Sequence, residues 1–309
     1  MTDLEQVNFY VEFVRHLRDR GILCAITSGL ACVHYAVAET TKDCDLLCHP
    51  ESFHLLLEEL SRRQIGGSPC RYRGKLSPPL HERWHRGGWT SHFEWGTGPD
   101  AVTLDVFGVA LRGSVPWQHE ISGLYASPQI VSEMKRTNRD KDWAFITALG
   151  TRMVLAGDSR GWLHLYQASA IDELLEHCQC PPEIVALRPA LGLAIDRDPR
   201  VAGALNAERS LWEKLDELRI RIYEHALRPY VAAVRKAQIP ATASLMEQHQ
   251  VRVEIAELHL PAAPLQAYGI DRHLADARRW LIESRVVPVE AIDWLPDVRK
   301  NFNYLTDDR

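Results

Sequence analysis

Long uncharged apolar runs and an excess of positive charge are both missing from this sequence. No apolar run reaches the length that spans a membrane, and Met1 to Arg20 is charged and amphipathic rather than signal-like. The 36 Lys and Arg residues are outnumbered by 41 Asp and Glu residues, which gives a net charge of −5. We therefore expect no membrane partner, and any nucleic-acid partner would have to bind a local basic patch.

Cysteine pairs suited to a metal site are also missing. The seven cysteines are an odd number and include no C-x-x-C pair. Cys178 and Cys180 are too close together for a usual structural zinc half-site. This pattern is typical of reduced thiols, so the sequence predicts a cytoplasmic protein.

The composition and the helical patterning indicate a two-domain globular protein. The 309 residues are 46% apolar and 25% charged. We predict an α+β domain over 1–156, with a mixed sheet and flanking helices, followed by an all-α domain over 157–309. Pro229 is expected to end or kink a long helix in the second domain. One apolar face of this helix is predicted to carry Leu211, Leu215, Leu218 and Ile222. Four tryptophans are expected in the core: Trp162, Trp212, Trp280 and Trp294.

One stretch near the N-terminus places two carboxylates side by side. Leu23 to Ile26 is predicted to be a short strand, Ser28-Gly29 a tight turn, and Leu30 to about Val37 a helix. The next strand begins at Asp43 and alternates with period two, which puts Asp43 and Asp45 on the same face. Neighbouring carboxylates repel each other, and a divalent cation removes that repulsion.

This order of strand, Ser-Gly turn, helix and Asp-x-Asp strand resembles the active-site signature of the nucleotidyltransferase superfamily, which has the DNA polymerase β-like fold. The resemblance implies that Ser28 and Gly29 receive the phosphates of a nucleoside triphosphate. It also implies that Asp43 and Asp45 bind Mg²⁺, with two ions expected. Asp105, the single acid in the predicted strand from Ala101 to Leu111, is then the third metal ligand and catalytic carboxylate.

The segment from Ser127 to Trp143 resembles the corresponding segment of the abortive-infection and antitoxin-paired, toxin-like nucleotidyltransferases. There a helix that ends in a Lys is followed by an Arg-x-Lys-Asp sequence, which Lys135 and Arg139 match here. The resemblance covers roughly residues 20 to 150 and implies that both cations contact the nucleotide. Four cations fall within seven residues: Lys135, Arg136, Arg139 and Lys141. An exposed helix junction is the alternative interpretation. Glu39 stands where such relatives often have Arg, so their substrate class is not carried over.

Two other segments carry weaker patterns. The Gly-, Pro- and Arg-rich residues from Ile65 to Pro79 predict a loop or an irregular hairpin. Its cations, Arg71, Arg73 and Lys75, are expected to be solvated rather than bound to phosphates. Ile121 to Tyr125 is predicted to be a short strand.

The sequence from His81 to His85 matches the zinc-protease pattern H-E-x-x-H. That chemistry needs both His side chains on one face of a helix. Pro78-Pro79 precedes the match and Gly87-Gly88 follows it, which leaves less than three turns of helix. We therefore favour a chance match at the start of a hairpin whose turn is Arg86 to Trp89. A zinc hydrolase stays as a remote alternative.

These patterns together predict a Mg²⁺-dependent enzyme that moves a nucleoside monophosphate from an NTP to an acceptor. Asp105 would also act as general base. A small molecule or a protein is favoured as the acceptor, because the Arg residues of the helical half are interleaved with Glu and Asp. Nucleic acid is possible but less favoured. A catalytically silent nucleotide- or partner-binding module on the same fold is the main alternative.

Overall fold

The computed structural model describes residues 3–41, 43–98, 101–117, 120–121 and 123–305, and it is mixed α/β. Its strands are β1 (Cys24–Thr27), β2 (Cys44–Cys48), β3 (Gln64–Ile65), β4 (Ser68–Tyr72), β5 (Thr90–Trp95) and β6 (Val102–Phe107). The helices before residue 160 are α1 (Asp3–Asp19), α2 (Ser28–His34), α3 (Phe53–Arg62), α4 (Glu82–His85), α5 (Pro128–Met134) and α6 (Asp140–Leu155). Those after it are α7 (Ala168–Leu175), α8 (Pro182–Leu187), α9 (Ala190–Ile195), α10 (Val201–Ala237), α11 (Leu245–His259), α12 (Pro264–Tyr268) and α13 (Ile270–Ser284).

The six strands form one mixed sheet in the order β1-β2-β6-β5-β4-β3. Strands β2 and β6 are parallel, and every other neighbouring pair is antiparallel. Both β5 and β6 alternate strictly between buried and half-buried residues. The sheet therefore has one face for the core and one face free to carry polar side chains.

The buried face of the sheet packs against α1 and α3. Their apolar residues recur at helical spacing, so each helix has one apolar face that can be buried against the sheet. Tyr10, Phe13 and Leu17 of α1 and Leu56 and Leu60 of α3 belong to the same core as the strands. In the sequence, Thr2 and Glu5 predict a capping box at the start of this first helix, and Thr2 lies outside the described residues.

The helical half is built around α10, which is 37 residues long. Its apolar face packs against indoles from the first half of the chain, because Trp84 and Trp89 share a core with Leu211 and Trp212. Backbone carbonyls near the end of α11 accept hydrogen bonds from both indoles of the first half, at 3.0 and 2.9 Å. The predicted division after residue 156 coincides with the end of α6, and this division stays a prediction.

Pro229 was predicted to end or kink the long helix. It does not end the helix, because α10 continues through Pro229 to Ala237. A proline inside a helix costs about 3 kcal/mol. The following residue, Tyr230, is fully buried and donates a hydrogen bond of 2.9 Å to the carbonyl of Ser77. Burial of this turn of the helix offsets the free-energy cost of the proline. Of the four tryptophans expected in the core, Trp162 and Trp212 are buried, while Trp280 and Trp294 pack at the edges of cores.

Four predicted elements differ from the structure. The helix predicted from Leu30 to about Val37 runs from Ser28 to His34, so it includes the predicted Ser28-Gly29 turn. Strand β6 is shorter than predicted, because it ends at Phe107 rather than Leu111. The described part of 121–125 forms a single bridge, between Tyr125 and Ile26, instead of a strand. Residues 86–89 follow the short helix α4 and are not a hairpin turn. The segment from Ile65 to Pro79 is indeed an irregular hairpin, since β3 and β4 pair within it.

Candidate active site

The two strands that carry the predicted carboxylates lie side by side in the sheet. The parallel register of β2 and β6 sets Asp45 directly opposite Asp105. Asp43 lies just before β2, and its Oδ1 accepts a hydrogen bond of 3.0 Å from Thr103 Oγ1. Because side chains two residues apart share a face, all of these polar groups lie on the face of the sheet opposite α1 and α3. The structure thus brings Asp45 and Asp105 together, while Asp43 is exposed just before the first residue of β2.

The environment of Asp45 favours its neutral form. Burial and the negative charge of Asp105 together raise the pKa of Asp45 from 3.8 to about 6, against a hydrogen bond from Ser28 that lowers it. Two neighbouring carboxylates cannot both ionise without a cost in free energy, because their negative charges repel each other. This is the electrostatic signature expected of a site that is completed by a cation.

We expect Asp45→Asn to raise the free energy of unfolding at neutral pH and to change it little near pH 4. Because the folded pKa is the higher one, the wild-type protein loses stability as pH rises from the unfolded value of 3.8 through about 6. The gain is at most about 3 kcal/mol, since one pKa unit corresponds to about 1.4 kcal/mol. Urea unfolding with EDTA at both pH values measures it, and an equal gain at both would contradict the assignment.

Asp105 is bound by Arg73, a cation that was expected to be solvated. The Arg73 guanidinium donates to both carboxylate oxygens of Asp105, at 2.7 and 3.1 Å. His92, opposite Asp105 on β5, places Nδ1 2.8 Å from the same carboxylate. The expectation of a solvated basic loop is therefore wrong for Arg73. It is also wrong for Arg71, which pairs with Glu94 at 3.0 Å.

Ser28 and Gly29, predicted to form a tight turn, are instead the first two residues of α2, and Ser28 has a strained backbone next to the carboxylates. Ser28 has φ of +56°, in the left-handed region, which costs a residue with a side chain about 1 kcal/mol or more. Its hydroxyl bonds to Asp45, so the strain aims Ser28 at the carboxylate pair. Gly29 is required by packing, because a Cβ built there would lie 2.6 Å from Thr41 Oγ1. Contact of either residue with phosphate stays a prediction.

The two predicted nucleotide-binding cations differ in their surroundings. Lys135 is buried, and its Nζ lies 2.9 Å from Asp142 Oδ1. The positive charge of Lys135 also lowers the pKa of Asp45, which places it near the carboxylate pair. Arg139 is exposed, with its Nε 3.8 Å from Asp142 Oδ2. Lys135 therefore has a structural partner already, whereas Arg139 is free to reach outward.

All but two of the predicted site residues line one cleft, which we call the carboxylate cleft. Ser28, Asp45, Asp105, Lys135 and Arg139 border a volume of about 360 Å³, while Gly29 and Asp43 lie outside it. This volume is within the usual range for small-ligand sites.

Sequence reasoning missed the opposite wall of the cleft, which is formed by α10. There Asp216 is buried and accepts from Arg112 Nη1 at 2.7 Å and from Arg219 Nη2 at 3.0 Å. Burial alone would raise the pKa of Asp216, but these two guanidiniums hold it below its ordinary value. No local signal in the sequence links these residues, since Arg112 and Asp216 lie 104 positions apart.

The number and chemistry of the carboxylates in the cleft limit which metal ion they can bind. Across the described ranges, no group of three or more His, Cys, Asp or Glu side chains is arranged to hold a metal. The pair of Asp45 and Asp105 nevertheless fits Mg²⁺, which proteins bind through one or two carboxylates together with substrate phosphates and water. The donor chemistry and the raised pKa of Asp45 support this fit.

The residues of the H-E-x-x-H match have separate structural roles. His81 has an extended backbone before α4, and its Nδ1 accepts from the backbone N–H of Arg83. His85 is fully buried, with Nε2 2.8 Å from Ser91 Oγ, and burial lowers its pKa to about 3. Glu82 forms an ion pair with Arg86. This arrangement differs from a zinc-binding helix, in which both imidazoles point to one ion.

All seven cysteines are free thiols, and none of the helices in the described ranges has the length and apolarity needed to cross a membrane. Comparison with known proteins finds no family model that matches this chain, and no curated protein or solved structure that is similar to it.

Proposed function

We propose that the protein is a Mg²⁺-dependent nucleotidyltransferase of the DNA polymerase β-like kind. The observation that carries the proposal is the parallel pairing that sets Asp45 opposite Asp105 at the floor of the carboxylate cleft. A strained Ser28 at one side and Lys135 and Arg139 at the other supply donors around the same volume. Donors around a carboxylate pair suit a triphosphate, whose negative charge needs both cations and N–H or O–H groups.

Each residue has a role in the proposed reaction. An acceptor hydroxyl oxygen attacks the α-phosphorus, the bond to the bridging oxygen of the β-phosphate breaks, and pyrophosphate leaves. Asp105 is positioned to take the hydroxyl proton, once Arg73 releases its carboxylate. Arg139 and Lys135 bind the β- and γ-phosphates and hold the chain of three phosphates in line. The α10 wall, with Asp216 and Arg219, faces the acceptor side of the cleft.

The carboxylates Asp45 and Asp105 would hold Mg²⁺, and Asp43 at the edge of β2 would assist when Thr103 releases it. Bound there, the ion neutralises charge on the triphosphate and polarises the α-phosphoryl group.

The test is incubation of the protein with each of the four NTPs, Mg²⁺ and cell extract. With the label on the α-phosphate, we expect one size fraction of the extract to gain label, and with the label on the γ-phosphate we expect none. Asp43→Ala/Asp45→Ala should abolish the labelling without loss of the folded circular-dichroism spectrum. Transfer from γ-labelled NTP, or activity that survives in the double variant, would reject nucleotidyl transfer.

A catalytically silent nucleotide-binding module is the second candidate. The observation that favours it is the ion pair between Arg73 and Asp105, which occupies one of the two carboxylates. Calorimetry with a non-hydrolysable NTP and Mg²⁺ separates the candidates when it is combined with the labelling experiment. Binding without transfer to any acceptor would favour the silent module.

We expect Arg73→Gln to raise the affinity for Mg²⁺ about tenfold, because the substitution removes a cation that competes for Asp105; tenfold corresponds to about 1.4 kcal/mol. Titration of Mg²⁺ by calorimetry measures the change. Arg71→Gln is the matched control, since Arg71 pairs with Glu94 on the neighbouring strand and lies outside the cleft. Equal Mg²⁺ affinity for wild type and Arg73→Gln would show that the ion pair does not compete with the metal.

A further inference from the structure

A second cavity lies behind the carboxylate cleft, on the other side of the end of α5. Lys135 faces the cleft, whereas the next residue, Arg136, lines this second cavity. Its volume is about 370 Å³, and α10 contributes Glu208 and Trp212 to its wall, about two turns and one turn before the cleft residue Asp216. None of the residues assigned to the proposed transfer reaction lines it.

Two buried arginines in this wall have unused hydrogen-bond donors. Arg136 and Arg188 are 5% and 1% exposed. Within the described part of the chain, Arg136 Nε, Arg188 Nη2 and the indole Nε1 of Trp212 have no hydrogen-bond partner. Buried donors are almost always satisfied, and each orphan costs about 1–3 kcal/mol. All three donors belong to residues that line one cavity, so the wall of this cavity has unmet hydrogen-bonding capacity.

The charge of Arg136 is also left without a counter-ion. Its Nη2 lies 3.2 Å from His164 Nδ1, and its guanidinium stacks over the Trp212 ring at 4.7 Å. Burial, together with the positive charges of Arg136 and Arg188, holds the pKa of His164 well below its usual range, so this imidazole is neutral. Among the described residues, no carboxylate lies within ion-pairing distance of Arg136, and a buried cation without one is costly.

Two of the three carboxylates that line the cavity are already used by neighbouring donors, and the third, Asp297, lines it together with Lys300. The Glu208 carboxylate accepts from Arg188 Nε at 2.7 Å and from the Tyr166 hydroxyl at 3.2 Å. Glu133 accepts from Gln129 at 2.8 Å and from Ser114 at 2.9 and 3.0 Å. The group missing beside Arg136 must therefore supply acceptor oxygens and negative charge, because this guanidinium has no carboxylate partner among the described residues while Arg188 is paired with Glu208.

We propose that this cavity binds a small organic oxyanion, with a carboxylate or phosphate group at Arg136 and Arg188. Leu163, Leu187 and Val298 line the same cavity, so the ligand has an apolar body as well as the anionic group. The volume fits a single-ring molecule and excludes a polymer. The site is separate from the carboxylate cleft and does not depend on nucleotidyl transfer.

Arginine side-chain NMR on the full chain tests the proposal, with the Arg136 Nε–H resonance assigned from its loss in Arg136→Lys. We expect saturable shifts on titration with benzoate, with phenyl phosphate, or with both, and no shift with benzyl alcohol at the same concentration. The two anions distinguish a carboxylate ligand from a phosphate ligand. If no probe shifts the resonance at millimolar concentration, or if the neutral alcohol binds as well as the anions, the proposal is overturned.

A variant at the rim checks the location without removing a buried charge. Leu187 is 43% exposed and lines the cavity, so Leu187→Trp should obstruct it and weaken binding about tenfold or more, which corresponds to about 1.4 kcal/mol. Leu155→Trp is the matched control, because Leu155 is 65% exposed and does not line the cavity. Unchanged affinity in both Leu187→Trp and Arg136→Gln would contradict the assignment.

Discussion

Asp105→Asn is expected to lower the rate of nucleotidyl transfer about a hundred- to a thousandfold, the range found when one preorganised hydrogen-bonding group is removed from an active site. The substitution keeps the shape of the side chain but removes half of the carboxylate pair and the proposed base. The fold should persist, because the Arg73 ion pair that is lost is partly exposed and such pairs contribute about 1 kcal/mol or less. Single-turnover transfer from α-labelled NTP measures the rate.

Glu94→Gln is the control for this substitution. Glu94 lies on β5, two residues from His92 and on the same face of the sheet, but it pairs with Arg71 and does not line the cleft. Its amide variant should transfer nucleotide at the wild-type rate. If Asp105→Asn retains its activity, or if both variants lose it equally, the carboxylate pair is not the catalytic centre.

Lys135→Met is expected to reduce the free energy of unfolding by about 3–5 kcal/mol, the usual cost of breaking a buried ion pair by removing one partner. The reason is that Asp142 is 2% exposed and would retain a charge with only the Thr137 hydroxyl, at 2.9 Å, and the distant Arg139 beside it. Urea unfolding measures the loss. Because an unfolded enzyme is also inactive, activity of this variant alone does not reveal whether Lys135 binds nucleotide.

The double variant Lys135→Met/Asp142→Asn separates the two roles. Removing both charges leaves no isolated ion, so most of the stability should return. If Lys135 also binds the triphosphate, the double variant stays folded while its KM for NTP rises. Recovery of both stability and KM would limit Lys135 to a structural role.

Local patterns in the sequence were sufficient to predict the strand that carries Asp43 and Asp45. Alternation with period two depends only on near neighbours, and it placed Asp45 correctly on the polar face of the sheet, whereas Asp43 lies just before the strand instead of within it. The start of α10 as a long helix followed from apolar spacing in the same way. The continuation of α10 through Pro229 could not be predicted from this spacing, because it depends on the burial of Tyr230 against residues that are distant in the sequence.

The partners of the carboxylates were beyond prediction for a similar reason. Arg73 reaches Asp105 only because β4, β5 and β6 are adjacent in the sheet, and the order of strands is not written in any short segment. Lys135 was predicted to contact the nucleotide or to lie at an exposed helix junction, and neither prediction included its burial against Asp142. The chemistry of single residues was thus accessible from the sequence, while the pairing of charges required the tertiary structure.

The continuity of α10 has a consequence for how this protein can change in evolution. One unbroken helix carries Trp212 into the second cavity and Asp216 and Tyr223 into the carboxylate cleft. A single residue inserted between Trp212 and Asp216 would turn everything after it by about 100° and move it by about 1.5 Å. Such an insertion would carry Asp216 away from Arg112 in one step. In homologous sequences we expect length changes in the connections between helices, and a fixed residue count from Trp212 to Tyr223.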